Sequence, residues 1–190
     1  LEADWTAVDS TISVSNDPAR GSAAMALSYD NSASPFLGSA VSSDFPFEGN
    51  IACTSALAMD VWIYGDTANS DEPVFVKLSD GTNEAVVVCP VAYVTQIPDW
   101  TVWNIDLSDF TADNPAIDMG AVSTMSIGIG DQDSPAAGGT GTIYIDNVNL
   151  YPQRCIDRPD SDLTGDCRID FDDFAEMATE WLDNGLFPIL

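Results

Sequence analysis

A chain of 190 residues with 31 acidic and 5 basic side chains and no histidine carries a formal net charge of -26. Such a charge repels phosphate backbones and anionic membrane surfaces, which sets nucleic-acid binding aside. The missing histidine excludes Ser-His-Asp and Cys-His catalysis and the usual zinc and copper sites, leaving the oxygen-ligand chemistry of calcium or magnesium.

From Trp5 to Tyr151 the pattern is β: short alternating segments punctuated by Gly, Pro, Asn, Asp and Ser. In chain order the predicted strands are STISVSN (10–16), AAMALSY (23–29), ALAMDVWIYG (56–65), PVFVKLSD (73–80), EAVVVCPVAY (84–93), WTVWNIDL (100–107), STMSIGIG (123–130) and GTIYIDNVNLY (141–151). Their spacing predicts an antiparallel β-sandwich of jelly-roll type over residues 1–151. The longest apolar run, AVVVCPVAYV (85–94), is too short to span a bilayer. The chain opens at Leu1 with no signal peptide in view, which reads as an excised fragment or a mature form.

Residues 152–161 carry two prolines and no periodicity and read as a linker. Beyond them Phe171, Phe174, Ala175, Ala178, Trp181 and Leu182 recur at helical spacing, with Asn184-Gly185 as the stop signal. A tail this small needs a metal, a disulfide or a docking surface to hold its fold.

The cysteines at 53, 89, 155 and 167 fall into two local pairs. Pairing Cys53 with Cys89 and Cys155 with Cys167 implies an oxidising, extracellular or cell-surface setting; the alternative is four buried thiols.

The stretch DLTGDCRIDFDD (162–173) fits the register of an EF-hand-type calcium loop. Its ligand positions 1, 3, 5, 7, 9 and 12 fall on Asp162, Thr164, Asp166, the Arg168 carbonyl, Asp170 and Asp173. Ile169 takes the apolar anchor position, and Cys167 stands where glycine belongs, so a Cys155–Cys167 bridge is expected to hold the turn instead. Helix capping by Asp170 and Asp173 explains the last acidic residues without explaining Asp162 and Asp166. The extended stretch DLTGDCRIDFDDFAEMATEWL resembles one half of a dockerin type I domain, whose repeats join an aspartate-rich calcium loop to a short helix. The resemblance implies calcium as cofactor and a cohesin-like domain as partner. A dockerin has two repeats and only one is visible, so packing of Phe174, Ala178 and Trp181 onto the sandwich is the simpler expectation.

In the sandwich, WTVWNIDLSDF (100–110) and the final YIDNV (144–148) resemble bacterial jelly-roll modules of carbohydrate-binding type. That resemblance implies a structural calcium held by Asp146 and by the turn NDPARGS (16–22), with Asp17 as a side-chain ligand. Sugar sites combine aromatic faces with a few planar polar groups. Alternation puts Met59, Val61 and Ile63 on one face and Asp60, Trp62 and Tyr64 on the other. With Phe75 and Lys77 from a neighbouring strand, Trp62 and Tyr64 form the predicted glycan platform, and Trp100 and Asp131 form its rim. Asp133 shares the rim loop, while Trp103 is assigned to the core. The alternative is that Trp62 and Phe75 are core residues as well.

No strand bears a carboxylate pair of the kind a glycosidase needs, and the sandwich offers only Arg20 and Lys77 as cations. The sequence therefore predicts a non-catalytic extracellular module for neutral polysaccharide, with structural calcium. The alternative is a structural or adhesion module whose tail mediates assembly.

Overall fold

The computed structural model describes residues 4–33, 37–42, 55–132, 136–179 and 181. The chain divides into two compact units, Leu1–Pro152 and Gln153–Leu190.

In the first unit the described residues form β1 (Trp5–Val8), β2 (Ser10–Ser15), β3 (Ala24–Asp30), β4 (Gly38–Ser42), β5 (Ala58–Tyr64), β6 (Val74–Ser79), β7 (Glu84–Val88), β8 (Thr101–Asp106), β9 (Thr124–Ile129) and β10 (Thr140–Tyr151). They build two 5-stranded sheets, β1-β4-β9-β6-β7 and β2-β3-β10-β5-β8, with antiparallel pairing between these strands throughout. The architecture is a β-sandwich, in keeping with a jelly roll.

Alternation explains the core between the sheets. Leu27, Met59, Val61, Ile63, Ile143 and Ile145 come from one sheet and Val74, Val76, Leu78, Met125, Ile127 and Ile129 from the other, all in one buried cluster. Trp103 lies in that cluster as expected. Each fully buried aliphatic side chain stabilises the fold by roughly 1.5–3 kcal/mol of transfer free energy.

Two of the predicted strands end early, each for a physical cause. EAVVVCPVAY ends as a strand at Val88, because Pro90 has no N–H to offer a ladder. Tyr93 then turns left-handed (φ 58°) into a short 3-10 turn, Val94–Gln96. WTVWNIDL ends at Asp106, whose carboxylate accepts the Ser108 N–H at 2.8 Å and starts a helix α1 (Leu107–Asp113). Two further strands, β1 and β4, escape the sequence pattern. β4 reads GSAVS, whose small residues give little β signal, and it is held by ladders on both sides.

The second unit contains a helix α2 (Phe171–Thr179), with Trp181 in the turn after it. Leu182, Asn184 and Gly185 lie outside the described residues.

Candidate functional site

The ladder register sets which side chains share the outer face of the β2-β3-β10-β5-β8 sheet. Tyr64 stands opposite Tyr144, and Trp62 is flanked by Asp146 on one side and Val102 on the other. Opposed residues in an antiparallel pair point the same way, so Trp62, Tyr64, Tyr144 and Asp146 belong to one face. Trp100, just before β8, completes the group. Its ring centroid is 5.5 Å from that of Tyr64, and the Tyr144 ring is 6.1 Å from Tyr64, both edge-on. Edge-to-face pairs of this kind contribute roughly 0.5–1.5 kcal/mol each and hold one another in place. Tyr64 is thus the centre of a half-exposed aromatic cluster with Trp100 and Tyr144 on its flanks. Across β10 the row continues into small side chains, Ala26 and Ser13.

Beside this cluster the turn between β2 and β3 folds over the sheet. The Arg20 N–H donates to Asp146 Oδ2 at 2.9 Å, and the Asn147 N–H donates to Asp146 Oδ1 at 2.7 Å. Asn147 is left-handed (φ 48°) at a bulge in β10, and Asp146 is buried. The Arg20 guanidinium lies over the Trp62 ring, with Cζ 3.1 Å from the ring centroid, a cation–π contact of roughly 0.5–2 kcal/mol. The resemblance to jelly-roll modules implied that Asp146 and the 16–22 turn hold a calcium ion together; in the structure the two are joined by the Arg20 N–H. Asp17 is exposed, and its carbonyl accepts from Ser15 Oγ. Further along the face, Asn149 Nδ2 donates to Asp60 Oδ1 at 2.9 Å and Tyr151 Oη to Asn104 Oδ1 at 2.7 Å.

The four-residue platform of Trp62, Tyr64, Phe75 and Lys77 is not what the structure presents. β5 and β6 follow one another in the chain but lie in different sheets, so Phe75 and Lys77 cannot continue the face of Trp62 and Tyr64. Phe75 is only 2% exposed and its ring covers Gly128, where a side chain would collide with it. Lys77 pairs with Glu84 at 3.1 Å. Asp131 is exposed in the loop after β9, and Asp133 lies outside the described residues. Sequence reasoning passed over Tyr144 and Arg20. Tyr144 carried a signal, since it alternates with Ile143 and Ile145; only the β10–β5 pairing was missing. Arg20, in a turn, carried none.

In the second unit the Cys155–Cys167 disulfide forms. Cys167 adopts φ 66° and Gly165 φ 84°, so the cysteine takes the left-handed geometry that glycine would supply in an EF-hand loop. Asp162 and Asp173 are both buried. Asp162 accepts the Gly165 N–H at 2.6 Å and the Cys167 N–H at 2.9 Å, and pairs with Arg158 at 3.3 Å. Asp173 accepts N–H groups of Asp170 and Leu163 at 2.8 Å and of Thr164 at 3.1 Å. The N–H groups of Asp170 and Thr164 lead in holding its carboxyl down at about 2. The Thr164 hydroxyl touches both carboxylates, at 3.4 Å and 3.1 Å. Asp166 and Asp170 face solvent, each accepting one backbone N–H. Among the described residues no three acidic or cysteine side chains converge on one point. The donors that do converge, at positions 1, 3 and 12, are all oxygens, which suits a hard cation. Ile169, Phe171, Phe174 and Trp181 are exposed.

Cys89 is a free, half-buried thiol whose pKa is raised by burial; its expected partner, Cys53, lies outside the described residues. Among the described residues no helix is long and apolar enough to cross a membrane.

No protein-family profile matches the chain, and no curated protein matches it. Solved structures do resemble it in fold. The family 11 carbohydrate-binding module of the cellulosomal cellulase Lic26A-Cel5E of Clostridium thermocellum superposes with a TM-score of 0.56 at 14% identity, over 78% of this chain and 88% of that one. A family 30 carbohydrate-binding module superposes with a TM-score of 0.59 at 11% identity, over 79% of this chain and 78% of that one. An exo-beta-agarase matches with a TM-score of 0.57 at 8% identity, over 82% of this chain but 24% of the enzyme. At these identities the likeness establishes the fold and not the ligand.

Proposed function

We propose that the sandwich is a non-catalytic carbohydrate-binding module of an extracellular protein, and that it binds a neutral polysaccharide on the outer face of the β2-β3-β10-β5-β8 sheet. The observation that carries this reading is the cluster of Tyr64, Trp100 and Tyr144, half-exposed on one sheet face. Aromatic rings held at fixed angles offer a sugar ring its apolar C–H face at low entropic cost. The neighbouring side-chain amides of Asn104 and Asn149 have the hydrogen-bonding character that sugar hydroxyls need. Support also comes from the fold neighbours, one of which was solved with a beta-1,3-1,4-mixed-linked tetrasaccharide. That glycan is the rational first probe. The test is affinity electrophoresis in mixed-linked β-glucan: retardation of the intact protein, lost in Tyr64→Ala, supports the reading, and equal mobility of both variants with and without glucan contradicts it.

The tail is read as a calcium-stabilised appendage. Asp162, Thr164, Asp166, Asp170 and Asp173, with the Arg168 carbonyl, would hold the ion, which when bound supplies a fixed positive charge among five oxygen-bearing side chains. The buried Asp162 and Asp173 carboxylates and the Thr164 hydroxyl between them support this reading. Calcium should raise the melting temperature of the tail, and a chelator should lower it.

A further inference from the structure

We propose that Arg20 is a sugar-contacting residue that reads a pair of oxygens on a neutral glycan chain, and that Trp62 is the positioning residue that presents it. The proposal rests on the glycan-binding reading above and deepens it.

Trp62 does not offer its covered face for stacking, because the Arg20 guanidinium occupies it. Arg20 is anchored at its backbone, through its N–H to Asp146, and at its head, by the Trp62 ring. What its head lacks among the described residues is an acceptor: Nη1 is buried with no hydrogen-bond partner there. In a chain of 31 acidic residues that is unusual. Lys77 pairs with Glu84, and Arg158 with Asp162. Asp146 lies beside Arg20, yet its carboxylate receives the Arg20 backbone N–H and not the guanidinium. A charged donor buried without an acceptor is costly, and such groups are found where a ligand or another component provides one. The guanidinium is therefore pre-positioned rather than spent on an internal ion pair, and its flat fork of donors suits two neighbouring oxygens. It stands on Trp62, whose register neighbours on the face include Asp146, one step along β10 from Tyr144 and its aromatic partners.

Two oxygens in that spacing belong either to a uronate carboxylate or to vicinal positions of a neutral sugar. The surroundings favour the neutral sugar. Asp146 and Asp60 both lie on the same face, and the molecule as a whole carries a formal charge of -26, so an acidic chain is repelled from every direction but one.

The experiment measures affinities of the intact chain, Arg20→Ala, Arg20→Lys and Tyr64→Ala for mixed-linked β-glucan and for polygalacturonate, with thermal melts as the folding control. Arg20→Ala should weaken β-glucan binding about tenfold or more, the loss expected for a charged hydrogen bond. Arg20→Lys keeps the charge and the stem but not the fork and should recover only part of the affinity. If Arg20→Ala fails to fold, Arg20→Lys carries the test by its affinity alone. Polygalacturonate should bind none of the four proteins. The proposal is overturned if both Arg20 variants bind β-glucan like the parent while Tyr64→Ala does not, which leaves the aromatic face standing and Arg20 idle. It is overturned equally if polygalacturonate binds more tightly than β-glucan and Arg20→Ala abolishes that binding. A parent that is folded and binds no glycan removes both this proposal and the reading beneath it.

Discussion

Tyr64 touches both Trp100 and Tyr144, so its ring is the one the others lean on. Truncating it should cost more than truncating either neighbour. We expect Tyr64→Ala to weaken glycan binding by roughly 2 kcal/mol, about thirtyfold, and Tyr144→Ala by less, as titration calorimetry would show. A residue far from that face tests the fold separately. The Asp80 carboxylate accepts the N–H groups of Asn83, Asp118 and Thr82 and the Asn83 side-chain amide, which tie the β6–β7 turn to the loop before β9. Those bonds, Asn83 first, hold its pKa below the ordinary aspartate range. A depressed carboxylate adds stability that is fully present above the unfolded-state pKa and is lost as pH falls through the folded one. Asp80→Asn should therefore melt below the parent at neutral pH, and the gap should narrow in strong acid. A gap that stays constant with pH would contradict this account of the turn.

Elements were legible where alternation was strong and illegible where pairing decides. The division of β5 into an inner face of Met59, Val61 and Ile63 and an outer face of Trp62 and Tyr64 could be read directly, because the period of a strand is a local property. Which strand lies beside β5 could not. Consecutive strands of a sandwich often cross to the opposite sheet, and β6 does so, which carries Phe75 and Lys77 away from the aromatic cluster. The neighbour that does share the face, β10, comes much later in the chain, and so Tyr144 was passed over. In the tail the reverse holds: spacing within a short segment is local, and the Cys155–Cys167 bridge was readable from the local pairing of the cysteines, while the left-handed backbone of Cys167 in the glycine position was not. A disulfide closing a loop of this size contributes about 3 kcal/mol. Cys155→Ser with Cys167→Ser should thus loosen the tail, and in a calcium-binding tail saturating calcium should restore a good part of that loss. Hydrogen exchange of the α2 amides, with and without calcium, would measure both effects; amide protection indifferent to calcium would count against the metal.

For the whole molecule, the charge of -26 sets the terms on which any ligand arrives. A neutral glycan neither releases counterions nor feels the long-range field, so its affinity should change by no more than about twofold between low and high salt. Binding that falls steeply with salt would instead mark a charged ligand. The fold alone allows many functions, and the function proposed here lives in one sheet face.

The most direct test of that face is calorimetric titration of the folded chain with a mixed-linked β-glucan oligosaccharide, beside a Tyr64→Ala, Tyr144→Ala double variant. Saturable binding by the parent and none by the equally stable double variant is the predicted result; identical heats from the two proteins would contradict it.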